Sequence, residues 1–227
     1  MGIAFAAVNT TIKGILHVLC RIDAAALKNV PPSGPLILVA NHVNFLEVPL
    51  VFTHLQPRPV TGFAKAETWD NPLMAQLFDL WKAIPLQRGE ADIRAMRKAL
   101  NVLENSGILA VAPEGTRSGD GRLQRGQPGV VTLALLSGAP LLPMVYYGGE
   151  QFHENIRRLR RTEFKIVIGR LFALDPRGMK VTRLMRQKMV DEIMYQLAAL
   201  LPPAYRGYYS DPYTATGEFL RFLPGVS

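Results

Sequence analysis

The sequence predicts an α/β fold: a single domain with a central mixed β-sheet flanked by helices, preceded by an N-terminal helix or helical hairpin. Three observations predict it. Short apolar runs of strand length recur along the chain, stretches with helical apolar spacing lie between them, and the polar motifs fall where the runs end. The 227 residues suffice for one well-filled domain, and no internal segment is long or polar enough to be a linker. The division read from the chain is an N-terminal segment over 1–28, a main domain over 29–202 and a C-terminal tail over 203–227.

The first 22 residues are apolar but interrupted by Asn9, Thr10, Thr11, Lys13 and His17. That leaves nothing near the ~20 continuous apolar residues that a membrane span needs. Ile12, Ile15, Leu16 and Leu19 share one helical stripe, with Lys13, His17 and Arg21 elsewhere. Such a stripe suits a helix lying in a membrane interface, and equally a helix packed on the domain's own core. No early basic region and no small-residue cleavage site mark a cleaved signal, since the run ends in Cys20-Arg21.

After the turn Val30-Pro31-Pro32-Ser33-Gly34-Pro35, the run Leu36 to Ala40 reads as a buried strand ending at Asn41-His42. Similar runs occur at 60–64, 83–86, 108–112, 141–146 and 164–168. The clearest helices are expected over 90–105, with Ile93, Met96, Leu100 and Leu103 in step, and over 181–201, with Met185, Met189, Ile193 and Leu197 in step. From Pro203 onward the chain is rich in Tyr, Pro and Gly without a period, which predicts a surface-hugging tail or partial disorder.

Hydrophobic residues make up 48% and charged residues 19%, so the chain is globular in character and leaves apolar surface exposed. Lys and Arg number 26 against 18 Asp and Glu, and the net charge of +8 suits an anionic partner: nucleic acid, acidic lipid headgroups or a phosphorylated substrate. The densest basic cluster, Arg157-Arg158-Leu159-Arg160-Arg161, has no interleaved aromatics and matches no nucleic-acid-binding motif. Contact with anionic headgroups suits it better than either nucleic acid or a merely solvated helix face. One cysteine, Cys20, and no Cys/His cluster of metal-ligand spacing imply a reducing compartment and no structural metal.

In open α/β sheets ligands gather at the carboxyl ends of strands. Here His42 follows the first run, Lys65 the second, Arg88 the third and Glu114 to Ser118 the fourth. His42 with Glu47 five residues on can supply a general base and the carboxylate that orients it. Two plainer readings stand beside that one: His42 as a satisfied histidine at a strand end, and Asn44-x-x-Glu47 as a helix capping box. Pro49 argues against the box, because proline favours the first helical position and would start the helix after Glu47. The second motif, Pro113-Glu114-Gly115-Thr116-Arg117-Ser118, leaves a buried strand with a guanidinium able to hold a phosphate through paired hydrogen bonds and a glycine that lets backbone amides approach a ligand. Ser118 to Gly126, carrying Arg122 and Arg125, reads as a mobile basic loop over the site, or on its own as a plain solvated turn.

With these residues in view the sequence resembles the lysophosphatidate (1-acylglycerol-3-phosphate) acyltransferases of the glycerolipid acyltransferase superfamily. The resemblance runs from about Val30 to Gly148 and rests on four blocks in the family's order: Asn41-His42 through Glu47; Gly62-Phe63-Ala64-Lys65-Ala66-Glu67 followed by Ile84-Pro85-Leu86-Gln87-Arg88-Gly89; Pro113 to Ser118; and Gly138-Ala139-Pro140-Leu141-Leu142-Pro143. It implies that His42 is the general base on the acceptor hydroxyl, paired with Glu47. Lys65, Arg88, Glu114, Gly115, Thr116 and Arg117 would bind the acceptor phosphate; Arg125 joins the substrate-binding candidates from the reading of the basic loop, not from the resemblance. The acyl donor would be acyl-CoA or acyl-ACP as co-substrate, with no cofactor, no metal and no covalent acyl-enzyme. The implied partners are a lysophospholipid acceptor, the acyl carrier and a membrane surface, and no nucleic acid. The implied location is the cytoplasmic face of a membrane, as a peripheral or monotopic protein.

The departure is Glu47, where the family has Asp. Its extra methylene moves the carboxylate by about a bond length, and a ~1 Å misplacement in a catalytic site can cost about a hundredfold in rate. This keeps two alternatives in play: an acyltransferase for another lipid acceptor, such as a glycolipid or amino-lipid, and a catalytically silent lipid-binding member of the fold.

Overall fold

The structure, a computed structural model, describes residues 2–87 and 92–224. In chain order its elements are α1 (Ile3–Leu19), β1 (Cys20–Asp23), β2 (Leu36–Ala40), α2 (Glu47–His54), β3 (Val60–Lys65), α3 (Pro72–Leu80), β4 (Ile84–Leu86), α4 (Ile93–Glu104), β5 (Ile108–Val111), α5 (Gly129–Ser137), β6 (Leu141–Tyr147), α6 (Phe152–Arg157), β7 (Thr162–Ile168), β8 (Phe172–Leu174), α7 (Arg183–Leu200) and β9 (Leu220–Phe222). Short 3₁₀ turns fill several of the connections.

The strands form one mixed sheet in the order β4-β3-β5-β2-β6-β7-β1, with β8 paired to β6 and β9 to β8. The block from β4 to β6 is parallel, β7 runs antiparallel to β6, and β1 lies parallel to β7. Leu36, Ile37, Leu38 and Val39 of β2 are fully buried, as a central parallel strand covered by helices on both faces requires. Alternate strand side chains feed two cores. Ile37, Val39 and Leu109 pack with α4, α5 and α7 on one face, and Leu36, Leu38 and Ile108 pack with α1 and α2 on the other.

The strand runs expected from sequence are present, and local caps set the helix starts. Asn71 accepts from the amides of Leu73 and Met74 to open α3 with Pro72 at its first position, and Asp92 accepts from Ala95 N to open α4. Of the helix or helical hairpin expected over 1–28, a single α-helix forms among the described residues and ends at Leu19, because Cys20–Asp23 is drawn into the sheet as an edge strand against β7. On α1 the stripe of Ile12, Leu16 and Leu19 packs on the core while Ile15 and Val18 of the same helix stay exposed. Asn9, one of the residues that breaks the apolar run, is buried and accepts a hydrogen bond from the Trp81 indole N–H at 3.0 Å.

Over the described residues 203–224 the C-terminal segment runs along the domain, in keeping with the surface-hugging expectation. Its anchor is Glu192 of α7, 1% exposed, whose Oε1 accepts from Thr216 Oγ1 (2.6 Å) and Glu218 N (2.8 Å) and whose Oε2 accepts from Phe219 N (3.0 Å). This places Phe219 in the core and sets up the pairing of β9 with β8. Glu192→Ala leaves those donors without acceptors and is expected to lower the unfolding free energy by about 1–3 kcal/mol, read from urea denaturation.

Candidate active site

β2 and β5 are neighbours in the sheet, yet β2 is followed by α2 on one face and β5 leads to α5 on the other. The chain therefore diverges between their carboxyl ends, and a crevice opens where ligands collect in this architecture. A cavity of about 970 Å³ occupies that crevice. It touches Val51, Phe52 and Phe78 on one face of the sheet and Ala95, Met96 and Leu133 on the other, so it has apolar walls on both faces.

His42 and Glu47 meet at its floor. His42 Nδ1 lies 3.2 Å from Glu47 Oε2, and among the described residues Nε2 has no hydrogen-bond partner, which leaves it to the cavity that His42 lines. Glu47 sits in the first turn of α2, where the helix dipole favours a carboxylate. Both of its oxygens also accept from Asn44 N, at 3.0 and 3.1 Å. One carboxylate thus both contacts the imidazole and closes the turn before α2. Pro49 does not start the helix: α2 begins at Glu47 and carries Pro49 two residues further in, where a missing N–H costs nothing. Asn44 completes the turn by accepting from Leu46 N (2.8 Å) and donating to Gly149 O (2.7 Å).

Glu114 has a role the sequence did not show. It is buried, and its two oxygens accept from His42 N and Gln124 N, each at 2.8 Å, so its carboxylate braces backbone. The brace lies across the two site loops, which also meet through Ser118 N to His42 O (2.8 Å) and Gly119 N to Val43 O (3.1 Å). Burial pushes the Glu114 carboxyl up to about 7, against the amides of Gln124 and His42, which favour its ionised form.

Gly115, Thr116 and Arg117 line the cavity and are exposed at its lip. Gly115 has φ +71 with only Gln127 near a would-be Cβ, so it is the backbone conformation, not space, that calls for glycine. Lys65 also lines the cavity, exposed and 3.0 Å from Glu67. Arg125 is exposed and does not line it. Arg88 lies outside the described residues.

The sequence predicts a mobile loop over 118–126, and the structure corrects this. Leu123 is buried, its N–H donates to Tyr205 O (3.0 Å) and its carbonyl accepts from Tyr208 N (2.9 Å). Gly126 N donates to Tyr209 Oη (2.9 Å), which donates in turn to Asp191 Oδ1 (2.8 Å). Gly207 permits this contact, because a Cβ there would fall 2.2 Å from Leu123 O. Sequence reasoning finds Asn44 through the capping-box pattern and misses Gln124, Asp191 and Tyr209, which carry no local signal. No cluster of three or more His, Cys, Asp or Glu able to hold a metal occurs among the described residues.

The sequence model of a family described as Acyltransferase matches residues 21–147, more than half of the chain. The chain belongs to the acyltransferase family. A 1-acyl-sn-glycerol-3-phosphate acyltransferase of Limnanthes alba is 38% identical over 115 residues, covering 49% of this chain and 41% of the plant protein. The chain thus spans about two fifths of that relative's length. The enzyme of the same name from Bacillus subtilis is 24% identical over 159 residues, covering 70% of this chain and 77% of its own. In three dimensions the chain is similar to the crystal structure of the 1-acyl-sn-glycerophosphate (LPA) acyltransferase PlsC of Thermotoga maritima, with a TM-score of 0.65 at 23% identity over 86% of this chain and 78% of the other, which shows a shared fold. Within this acyltransferase domain the family match ends at the last residue of β6, so the tail that supports the loop 118–126 lies beyond it.

The Glu114 brace gives a pH signature. Its folded pKa of about 7 exceeds the ordinary 4.5, so the folded state binds this proton more tightly than the unfolded chain. The stabilisation is full below about 4.5 and is lost as pH rises through about 7. Relative to Glu114→Gln, the native protein should gain on the order of 1–3 kcal/mol as pH falls from above 7 to about 4.5, measured by denaturant unfolding across that range.

Proposed function

We propose that this protein transfers a fatty acyl group from acyl-CoA or acyl-ACP to the free hydroxyl of lysophosphatidate or a closely related lysophospholipid, working at a membrane surface. The observation that carries the reading is the His42–Glu47 pair, with Nε2 directed to an apolar cavity whose lip bears Arg117 and Lys65. The names of the relatives, 1-acyl-sn-glycerol-3-phosphate acyltransferases, support the same acceptor.

In this mechanism the acceptor hydroxyl hydrogen-bonds to His42 Nε2. As its oxygen attacks the thioester carbonyl the proton passes to Nε2, and Glu47 stabilises the imidazolium through Nδ1–H. The tetrahedral intermediate then collapses, the C–S bond breaks, and the departing sulfur takes the proton back from Nε2. Neither candidate thiol nor hydroxyl competes as a nucleophile. Cys20 is buried, which raises its thiol pKa, and Ser118 Oγ accepts from Gly121 N in a turn. Arg117 and Lys65, with Arg88, hold the acceptor phosphate. The apolar walls on the two faces of the sheet take the two hydrocarbon chains.

The test is acyl transfer from labelled palmitoyl-CoA to lysophosphatidate, lysophosphatidylcholine and phosphate-free monoacylglycerol, with acyl-ACP as second donor. Lysophosphatidate is expected to be preferred. His42→Ala should lower turnover by about 10²–10⁴-fold with unchanged thermal unfolding, and near-native turnover in that variant would overturn the mechanism. Arg117→Ala should raise KM for lysophosphatidate and leave that for monoacylglycerol alone; equal effects on both would remove the phosphate from its role. Because the structure has the loop closed around the longer side chain, Glu47→Asp should cost about tenfold to a hundredfold in kcat. Full activity in this variant would show that the reach of Glu47 is not needed.

A further inference from the structure

The turn from α6 to β7 holds an arrangement that the fold itself does not require. The end of α6 is closed by Arg160 N to Asn155 O (2.8 Å) and Leu159 N to Ile156 O (3.1 Å), the pairing of a Schellman motif. The left-handed position in such a motif ordinarily carries glycine. Here it carries Leu159, at φ +52 and 96% exposed. A large apolar side chain is thus held in an unfavourable backbone conformation and presented to solvent, two costs that no contact within the protein offsets.

Four arginines surround it: Arg157, Arg158, Arg160 and Arg161, all exposed. Arg158 pairs with Glu154 at 2.8 Å, Glu150, which shares a surface pocket with Arg157, accepts from Tyr205 Oη at 2.7 Å, and Glu163 lies 3.9 Å from Arg21. Arg157 and Arg160 have no carboxylate partner among the described residues. Arg161 Nη2 donates to the carbonyls of His17 and Cys20, the latter at 2.7 Å, and so joins the turn to the last turn of α1, where Ile15 and Val18 are exposed. On the other side Phe45, half exposed and between His42 and Glu47 in sequence, meets Phe152 of α6 edge-on at 5.6 Å.

The register fixes where this face points. Tyr147 of β6 pairs with Lys165 and Met144 with Ile168, so β7 begins at the carboxyl end of β6, and Cys20 pairs with Thr162 beside it. The basic turn and the end of α1 therefore share the sheet end that carries His42.

We propose that this face docks on an anionic lipid bilayer, with Leu159 inserted among the acyl chains and Arg157 and Arg160 on the lipid phosphates. An apolar tip ringed by arginines suits a bilayer, which offers negative headgroups above a hydrocarbon layer, and an acidic soluble carrier offers only the charge. The inference rests on the lipid-acyltransferase reading in one respect: it gives the mouth of the cavity a bilayer from which to draw its acceptor.

The test compares the full chain with Arg157→Glu/Arg160→Glu and with Leu159→Asn, whose asparagine tolerates the left-handed backbone. Sedimentation is measured with vesicles of phosphatidylcholine alone and of phosphatidylcholine with phosphatidylglycerol, and turnover is measured on a soluble short-chain lysophosphatidate. The native chain should bind the anionic vesicles and not the neutral ones. The double variant should weaken that binding at least about thirtyfold and Leu159→Asn about tenfold, with turnover on the soluble acceptor unchanged in both. Native-like vesicle binding by the double variant overturns the proposal. So does a loss confined to reactions fed by acyl carrier protein, which would assign the arginines to the carrier. If no acceptor is turned over while arginine-dependent binding persists, the docking face stands and the proposed function falls.

Discussion

Everything at the candidate site leans on the carboxylate of Glu114. Two part-buried backbone N–H groups, from His42 and Gln124, are both accepted by one buried side chain. An unmatched buried amide costs on the order of 1–3 kcal/mol, so the loops that carry these two amides are strongly held to the geometry in which they share one acceptor. The loop after β2 places the histidine, the loop after β5 places the cationic lip, and the brace makes them one rigid unit. Burial resists ionisation of Glu114, and the two donors are what make a charge there tolerable.

The second acid of the site solves a different problem. Glu47 has the imidazole on one side and the Asn44 amide on the other, at the amino end of α2. The helix is oriented by the sheet beneath it, through Leu50 and Phe52 in the core. The orientation of a single ring is therefore traceable to the packing of β2, and the turn before α2 is closed around the Glu47 side chain.

Much of this is legible in the chain. Buried parallel strands such as β2 and β5 are nearly unbroken apolar runs, because helices cover both of their faces, and the switch to 3.6-residue spacing in α4 and α7 marks the helices that pack over them. The residues at the strand ends stand out because polar groups there have no packing reason to exist. Three kinds of feature are not legible. β1, a short edge strand, and β8, three residues held between β6 and β9, take their conformation from partners elsewhere in the sheet. Glu114 lies inside a motif whose composition suggests ligand contact, and only the fold reveals that its oxygens are already committed to backbone. The supports from Asp191 and Tyr209 are far in sequence from the loop they hold, so no local pattern could announce them.

The strap formed by the C-terminal segment also has a consequence in time. Residues 205–209 grip Leu123 and Gly126, and Glu192 fastens the stretch from Thr216 to Phe219 beyond them. During synthesis the histidine loop, the cationic lip and the strands of both cores emerge from the ribosome well before their clasp does. A nascent chain stopped short of this segment has every residue of the candidate site and no fixed support for the loop 118–126. The order of translation thus makes the support of the loop 118–126 the last part of the site to be fixed.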